Sequence, residues 1–131
     1  MLEILVEDHG PVDGPLITLR GDANLAEVDR LQLELRKAVS SHPRRVIIDL
    51  SAVTFMASLA LGTLVEFTSG VKTRAGRVSI AGASGMLLDA IMRARLNALF
   101  VMCDTVQDAA TRLRELVPVT PAPVTGIAQR D

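Results

Sequence analysis

Short apolar stretches alternate with amphipathic stretches along most of this chain. The first two apolar stretches, residues 2–7 and 15–20, are separated by the turn-forming sequence HGPVDG. Two short strands joined by a turn rich in Gly and Pro are typical of an antiparallel hairpin. The chain is therefore predicted to begin with two paired strands.

Helical spacing first occurs between Asn24 and about Ser41. Apolar residues there recur every three or four positions, which places them on one face of a helix. They are Leu25, Val28, Leu31, Leu35, Ala38 and Val39. Either Asp22 or Asn24 can cap this helix, and Pro43 ends the segment. We predict an amphipathic helix over 24–41.

The strongest strand signal is RRVIIDL, residues 44–50. A short run rich in β-branched residues is expected in a strand that is buried on both faces in the middle of a sheet. The following sequence SAVTFMA is predicted to be a loop. Residues 58–74 then have helical spacing, with Leu61, Leu64 and Val71 on the apolar face.

The alternation of strands and helices continues to residue 116. It predicts a strand at 76–82, a helix at 84–96 capped by Ser84, a strand at 98–102 and a helix at 105–116 capped by Thr105. The order β-β-α-β-α-β-α-β-α predicts an α/β fold with a mixed, mainly parallel sheet and an antiparallel N-terminal hairpin. We predict one domain, 1–116, and a flexible Pro-rich tail, 117–131.

Composition narrows the classes of partner. The 131 residues suit one domain, and 14 Lys plus Arg against 15 Asp plus Glu provide no basic surface for nucleic acid. Trp and Tyr are absent, so aromatic platforms for stacking bases are nearly lacking. We therefore expect protein partners and no binding of nucleic acid.

The sequence also favours the cytoplasm and no membrane insertion. The single Cys103 cannot form an internal disulfide, which fits a reducing compartment. Acidic Glu3, Glu7 and Asp8 lie where a signal peptide would have a basic start and an apolar run. No stretch reaches the roughly 18 apolar residues that a membrane span requires.

Side chains with catalytic or metal-binding chemistry are scattered. His9 and His42 lie in separate turns and Cys103 is alone, so neither a metal nor a cofactor is expected. A G-x-S-x-G nucleophile motif and the Gly-rich phosphate loops are absent. Asp49 lies where α/β proteins place ligands, but we expect its carboxylate to organise the loop that follows. The sequence does not indicate an enzyme.

The segment VIIDLSAVTFMASLALGTLV, residues 46–65, resembles the central segment of STAS domains, the family of bacterial anti-sigma-factor antagonists. The sequences RAGRVSIAG at 74–82 and LNALFVMCDTVQDAATRL at 96–113 resemble the elements that follow it in the family. The resemblance spans nearly all of 1–116. It implies a STAS fold and a non-catalytic regulator that binds an anti-sigma factor.

In this family, a serine at the start of the helix after this strand is phosphorylated by a partner that is both an anti-sigma factor and a serine kinase, and phosphorylation blocks binding. The resemblance assigns this role to Ser58. It also implies a partner-binding set formed by the neighbours of Ser58 and the end of the second strand: Asp22, Asn24, Met56, Ala57, Leu59, Ala60 and Leu61.

The motif of the family is Asp-Ser-Ser/Thr-Gly-Leu-Gly, and this chain departs from it. Ala57 replaces the Asp, Leu59 replaces the second hydroxyl residue and Ala60 replaces the first glycine. The acidic residue that the family carries after the second strand falls near the neutral Asn24. A kinase that targets Ser58 must therefore recognise it without the usual acidic and hydroxyl companions.

Three hypotheses follow. The first is an antagonist that is switched by phosphorylation of Ser58. The second is a scaffold subunit that assembles with copies of itself, with other STAS proteins or with a transporter complex, and in which Ser58 only caps a helix. The third is a domain that binds a small molecule or lipid, with Met56, Leu59 and Phe67 lining the site.

Overall fold

Five strands form one sheet, in the order β1-β2-β3-β4-β5, in the computed structural model, which describes residues 1–118. The strands are β1 Leu2–Glu7, β2 Leu16–Ala23, β3 Arg45–Met56, β4 Arg77–Ala81 and β5 Val101–Cys103. β1 pairs with β2 antiparallel, and the other neighbouring strands are parallel. The predicted mixed sheet with an N-terminal hairpin is confirmed.

Between residues 1 and 118, four α-helices connect or follow the parallel strands. They are α1 Val28–Ala38, α2 Ser58–Thr73, α3 Gly85–Arg93 and α4 Val106–Leu116, with short 3₁₀ helices at Leu25–Glu27 and Leu96–Ala98. α3 ends earlier than predicted because Arg95 takes a left-handed backbone conformation with φ 59°. The last strand begins at Val101 rather than at 98, because the preceding residues form the second 3₁₀ helix. Within residues 1–118, no helix is long and apolar enough to cross a membrane.

β3 lies in the middle of the sheet and is covered on both faces. Successive strand side chains point to opposite faces, so Val46 and Ile48 face the core under α1 and α2, while Ile47 faces α4. Ile47 packs in the same buried cluster as Leu113 of α4. The strand buried on both faces that RRVIIDL predicts is therefore confirmed.

β3 is also longer than predicted, and this difference matters for the site. Residues 51–56 were predicted to be a loop, but they continue the strand to Met56. They pair with the end of β2, where Ala23 lies opposite Met56 across two register shifts. The loop prediction was wrong because SAVTFM carries no apolar run of its own, and its strand conformation depends on this pairing.

The buried side chain of Arg45, at the start of β3, lies at the end of the sheet opposite Met56. Its guanidinium donates to the carbonyl oxygens of Val117 (2.6 Å), Val12 (3.4 Å) and Arg114 (3.5 Å). These bonds join the turn between β1 and β2 to the end of α4. Val117 itself is buried, so packing extends to this residue. The tail prediction from residue 119 onward lies outside the described residues.

We expect Glu27→Gln to lower the stability at about pH 7 and to have little effect at about pH 3. The Arg30 side chain and the Leu2 backbone N–H bond the Glu27 carboxylate, and they hold its pKa below the ordinary value. A carboxyl whose pKa is lowered by folding contributes stability above its unfolded pKa, and this is lost as pH falls through the folded pKa. Urea denaturation of both proteins at the two pH values measures the effect. An equal loss of stability at both pH values would contradict the prediction.

Candidate functional site

Ser58 is the first residue of α2 and follows β3 almost directly. The N-cap position belongs to Ala57, whose backbone is extended (φ −68°, ψ 153°) and whose N–H donates to the Ala23 carbonyl at 2.9 Å. Ser58 therefore does not occupy the predicted cap position of α2. The cause is the extra length of β3, which places the strand end at Met56 and the cap one residue later.

The Ser58 hydroxyl is exposed and has no hydrogen-bond partner among the described residues. Ala57 provides no side-chain cap, and no other side chain that the structure describes satisfies the free N–H groups of the first turn of α2. That turn also contains no acidic residue. A helix N-terminus of this kind carries a partial positive charge and accommodates a phosphate.

Exposed apolar side chains occur around Ser58 and at the same edge of the sheet. Phe55, at the end of β3, is 53% exposed, and Leu59, in the first turn of α2, is 62% exposed. Leu25 (64%) and Met86 (88%) follow the carboxyl ends of β2 and β4, and neighbouring parallel strands end at one edge. We call these four residues the apolar edge. The sequence did not predict that Leu25, Phe55 and Met86 lie on the surface, although each ends or follows a strand.

The end of β2 lies beside this segment, as the resemblance implied. Asp22 is opposite Phe55 in the sheet register, and Ala23 is opposite Met56. Asp22 belongs to β2 and does not cap a helix. Asn24 is the cap, because its side chain accepts the Ala26 N–H at 3.0 Å at the start of the first 3₁₀ helix.

Two residues of the expected partner-binding set face inward. Ala60 is fully buried, and Leu61 packs against the core under the helix. Helical geometry explains the burial of Ala60, since a residue two positions after the exposed Ser58 lies on the opposite side of the helix. The expectation for Ala60 is corrected. A partner can reach Leu59, which is exposed, and Asp22, Asn24, Met56 and Ala57, which like Leu61 are partly exposed.

The remaining candidate residues do not form a site with Ser58. The Asp49 carboxylate accepts the Ser51 N–H at 3.0 Å, and both residues belong to β3 and not to a loop. Phe67 lies against a groove between α1 and α2 that neither Met56 nor Leu59 lines. The Cys103 thiol is free and partly buried. Over residues 1–118, no three His, Cys, Asp or Glu side chains cluster as metal ligands would.

The order of the strands and the hairpin at one edge agree with comparisons with known proteins. The family model described as the STAS domain matches residues 3–109. This chain therefore belongs to the STAS-domain family.

Several similar proteins are anti-sigma factor antagonists. The chain is 26% identical over 113 residues to the anti-sigma-F factor antagonist RsfB of Mycobacterium tuberculosis, covering 86% of this chain and 90% of that protein. An anti-sigma factor antagonist of Mycobacterium paratuberculosis has a similar crystal structure, with TM-score 0.78 and 25% identity over 87% of this chain and 95% of the other. The anti-sigma factor antagonist SpoIIAA in its unphosphorylated form shares the fold, with TM-score 0.74 and 19% identity over 88% and 99% of the two chains.

Proposed function

We propose that this protein is a non-catalytic regulator of the anti-sigma-factor-antagonist type. It binds a serine-kinase anti-sigma factor through the surface around Ser58, and phosphorylation of Ser58 releases the partner. The observation that carries the proposal is the exposed, unbonded Ser58 hydroxyl in the first turn of α2. Similarity to anti-sigma factor antagonists supports the class of partner.

The position of Ser58 supports its role as the target. The hydroxyl does not have to break an internal hydrogen bond before it enters the active site of a kinase. The kinase transfers the γ-phosphoryl group of ATP to the Ser58 oxygen, and the hydroxyl proton leaves to a base on the kinase. The backbone N–H groups of the first turn of α2 then stabilise the phosphate that remains on the serine.

The apolar neighbours of Ser58 explain how a phosphate would end binding. Phe55 and Leu59 present apolar area that a partner covers and removes from water. A phosphate adds a charge of about −1.5 to −2, which must lose water when this surface is covered. The cost of removing water from this phosphate disfavours the complex by itself. No particular charge on the partner is required. Replacement of the family's Asp by Ala57 makes this surface more apolar than the motif implies.

Incubation with Mg-ATP and a serine-kinase anti-sigma factor from the same genome tests the proposal. We expect intact-mass measurement to show one added phosphate on the native protein and none on Ser58→Ala. The matched control is Ser69→Ala, because Ser69 is an exposed serine on the same helix but lies three turns further along. It should be labelled as the native protein is.

Binding of the same partner to charged variants distinguishes a phosphorylation switch from the scaffold hypothesis. We expect Ser58→Asp to weaken the complex at least tenfold, about 1.4 kcal/mol, and Ser69→Asp to leave it unchanged. Equal phosphate incorporation in the native protein and in Ser58→Ala would remove Ser58 as the target. Unchanged binding by Ser58→Asp would favour the scaffold hypothesis.

A further inference from the structure

A groove with a volume of about 280 Å³ lies between α1 and α2, on the helical face of the sheet. One face of each helix lines it. Leu35 and Val39 contribute apolar surface from α1 and the residue after it, and Phe67 contributes apolar surface from α2. Since none of the apolar-edge residues lines it, the groove is distinct from the proposed partner surface. Ligand sites are typically concave and mostly apolar, and those of this size are suited to small molecules.

Gly70 keeps this groove open. It lies inside α2 and lines the groove, and a Cβ built on it would have no atom within 4 Å. Glycine inside a helix costs about 1 kcal/mol relative to alanine. Packing within residues 1–118 therefore does not explain a glycine here. Any larger side chain would occupy the space between the two helices.

The rim of the groove carries more positive than negative charge. Arg36 and Arg74 line it together with a single acidic residue, Glu66. In the part of the chain that the structure describes, neither arginine lies within 4 Å of a carboxylate. Both occur at the C-terminal ends of their helices, where the helix dipole favours a cation. A test must therefore separate ligand binding from this contribution to helix stability.

We propose that the groove binds a small amphipathic anion, a carboxylic acid with a short apolar chain. The chain lies against Leu35, Val39 and Phe67, and the carboxylate is held by Arg36 and Arg74. This site does not depend on the function proposed for Ser58. Of the three residues that the sequence suggested for a small-molecule site, only Phe67 belongs to it.

Octanoate is the probe for this site. We expect titration of the full chain, followed by amide chemical shifts, to saturate with a Kd of about 1 mM or lower, which corresponds to about −4 kcal/mol. The shifts should be centred on α1 and α2. Gly70→Leu fills the groove and should weaken octanoate at least tenfold. Gly62→Leu is the matched control, because Gly62 is also an open position in α2 but does not line the groove. It should bind octanoate as the native protein does.

A second pair of measurements keeps the test independent of the effect of Gly70→Leu on folding. The double variant Arg36→Gln/Arg74→Gln should weaken octanoate at least fivefold and leave the binding of neutral octanol unchanged. A stability effect of the arginines alone would change both ligands equally, which would overturn the charge assignment. Titration without saturation at about 10 mM, or equal affinity of the native protein and Gly70→Leu, would overturn the proposal. A difference in oligomeric state between the native protein and Gly70→Leu would assign the groove to a second copy of the chain instead.

Discussion

Leu59→Asp is expected to weaken the complex with the anti-sigma partner about a hundredfold, which corresponds to about 2.7 kcal/mol. Leu59 is 62% exposed in the free protein and adjacent to Ser58 in the first turn of α2. The variant removes apolar contact area and places a carboxylate where the partner would have to desolvate it. Titration calorimetry with the purified partner measures the change.

The folded state should tolerate this substitution. An acidic residue in the first turn of a helix interacts favourably with its dipole, by about 0.3–1 kcal/mol. We therefore expect Leu59→Asp to remain folded when it loses the partner. Leu33→Asp is the control, because Leu33 is a similarly exposed leucine (49%) on α1. Equal binding of the partner by the native protein and Leu59→Asp would exclude the surface around Ser58 from the interface.

Arg45→Met is expected to lower the free energy of unfolding by about 2–4 kcal/mol. The Arg45 side chain is only 6% exposed and bonds the carbonyl oxygens of Val12, Arg114 and Val117. Methionine fills similar volume but leaves these acceptors without their donors, and an unsatisfied buried polar group costs about 1–3 kcal/mol. The turn between β1 and β2 then loses its attachment to the end of α4.

The neighbouring arginine provides the control. Arg44 is exposed, and its two bonds to the Ala75 carbonyl are long, at 3.4 Å. Arg44→Met should change the free energy of unfolding by less than about 0.5 kcal/mol, as is usual for surface substitutions. Urea denaturation of both variants gives the two values. If both variants unfold at the same urea concentration, the Arg45 bonds do not contribute as argued.

The elements of the fold could be predicted from the sequence because their signals are local. The β-branched run at 46–48 and the helical spacing in α1 each indicate burial from residues of a single segment. Caps are local as well, and the Thr105 side chain accepts the Asp108 N–H at 3.1 Å as predicted. Ser84 occupies the predicted cap position of α3 but makes no capping hydrogen bond. The cap of a helix depends on side-chain orientation in addition to residue type.

The candidate site could be predicted only in part. Residue patterns and the family resemblance placed Ser58 at the start of a helix next to the end of the second strand. They did not reveal that Ala60 is buried, that Phe55 is exposed or that Gly70 opens a groove. These properties depend on which side of an element faces the sheet and on how two helices are spaced. Residues that are far apart in sequence determine both.

The sequence by itself determined the α/β class and the order of strands and helices, because apolar periodicity is a property of contiguous residues. Ser58 was singled out by the resemblance to STAS domains. The tertiary structure decided the length of β3, since residues 51–56 become a strand only by pairing with the end of β2. That pairing moves the cap of α2 to Ala57 and leaves the Ser58 hydroxyl unbonded at its first turn. The packing of α1 beside α2 likewise decided the groove, because neither helix encloses that space alone.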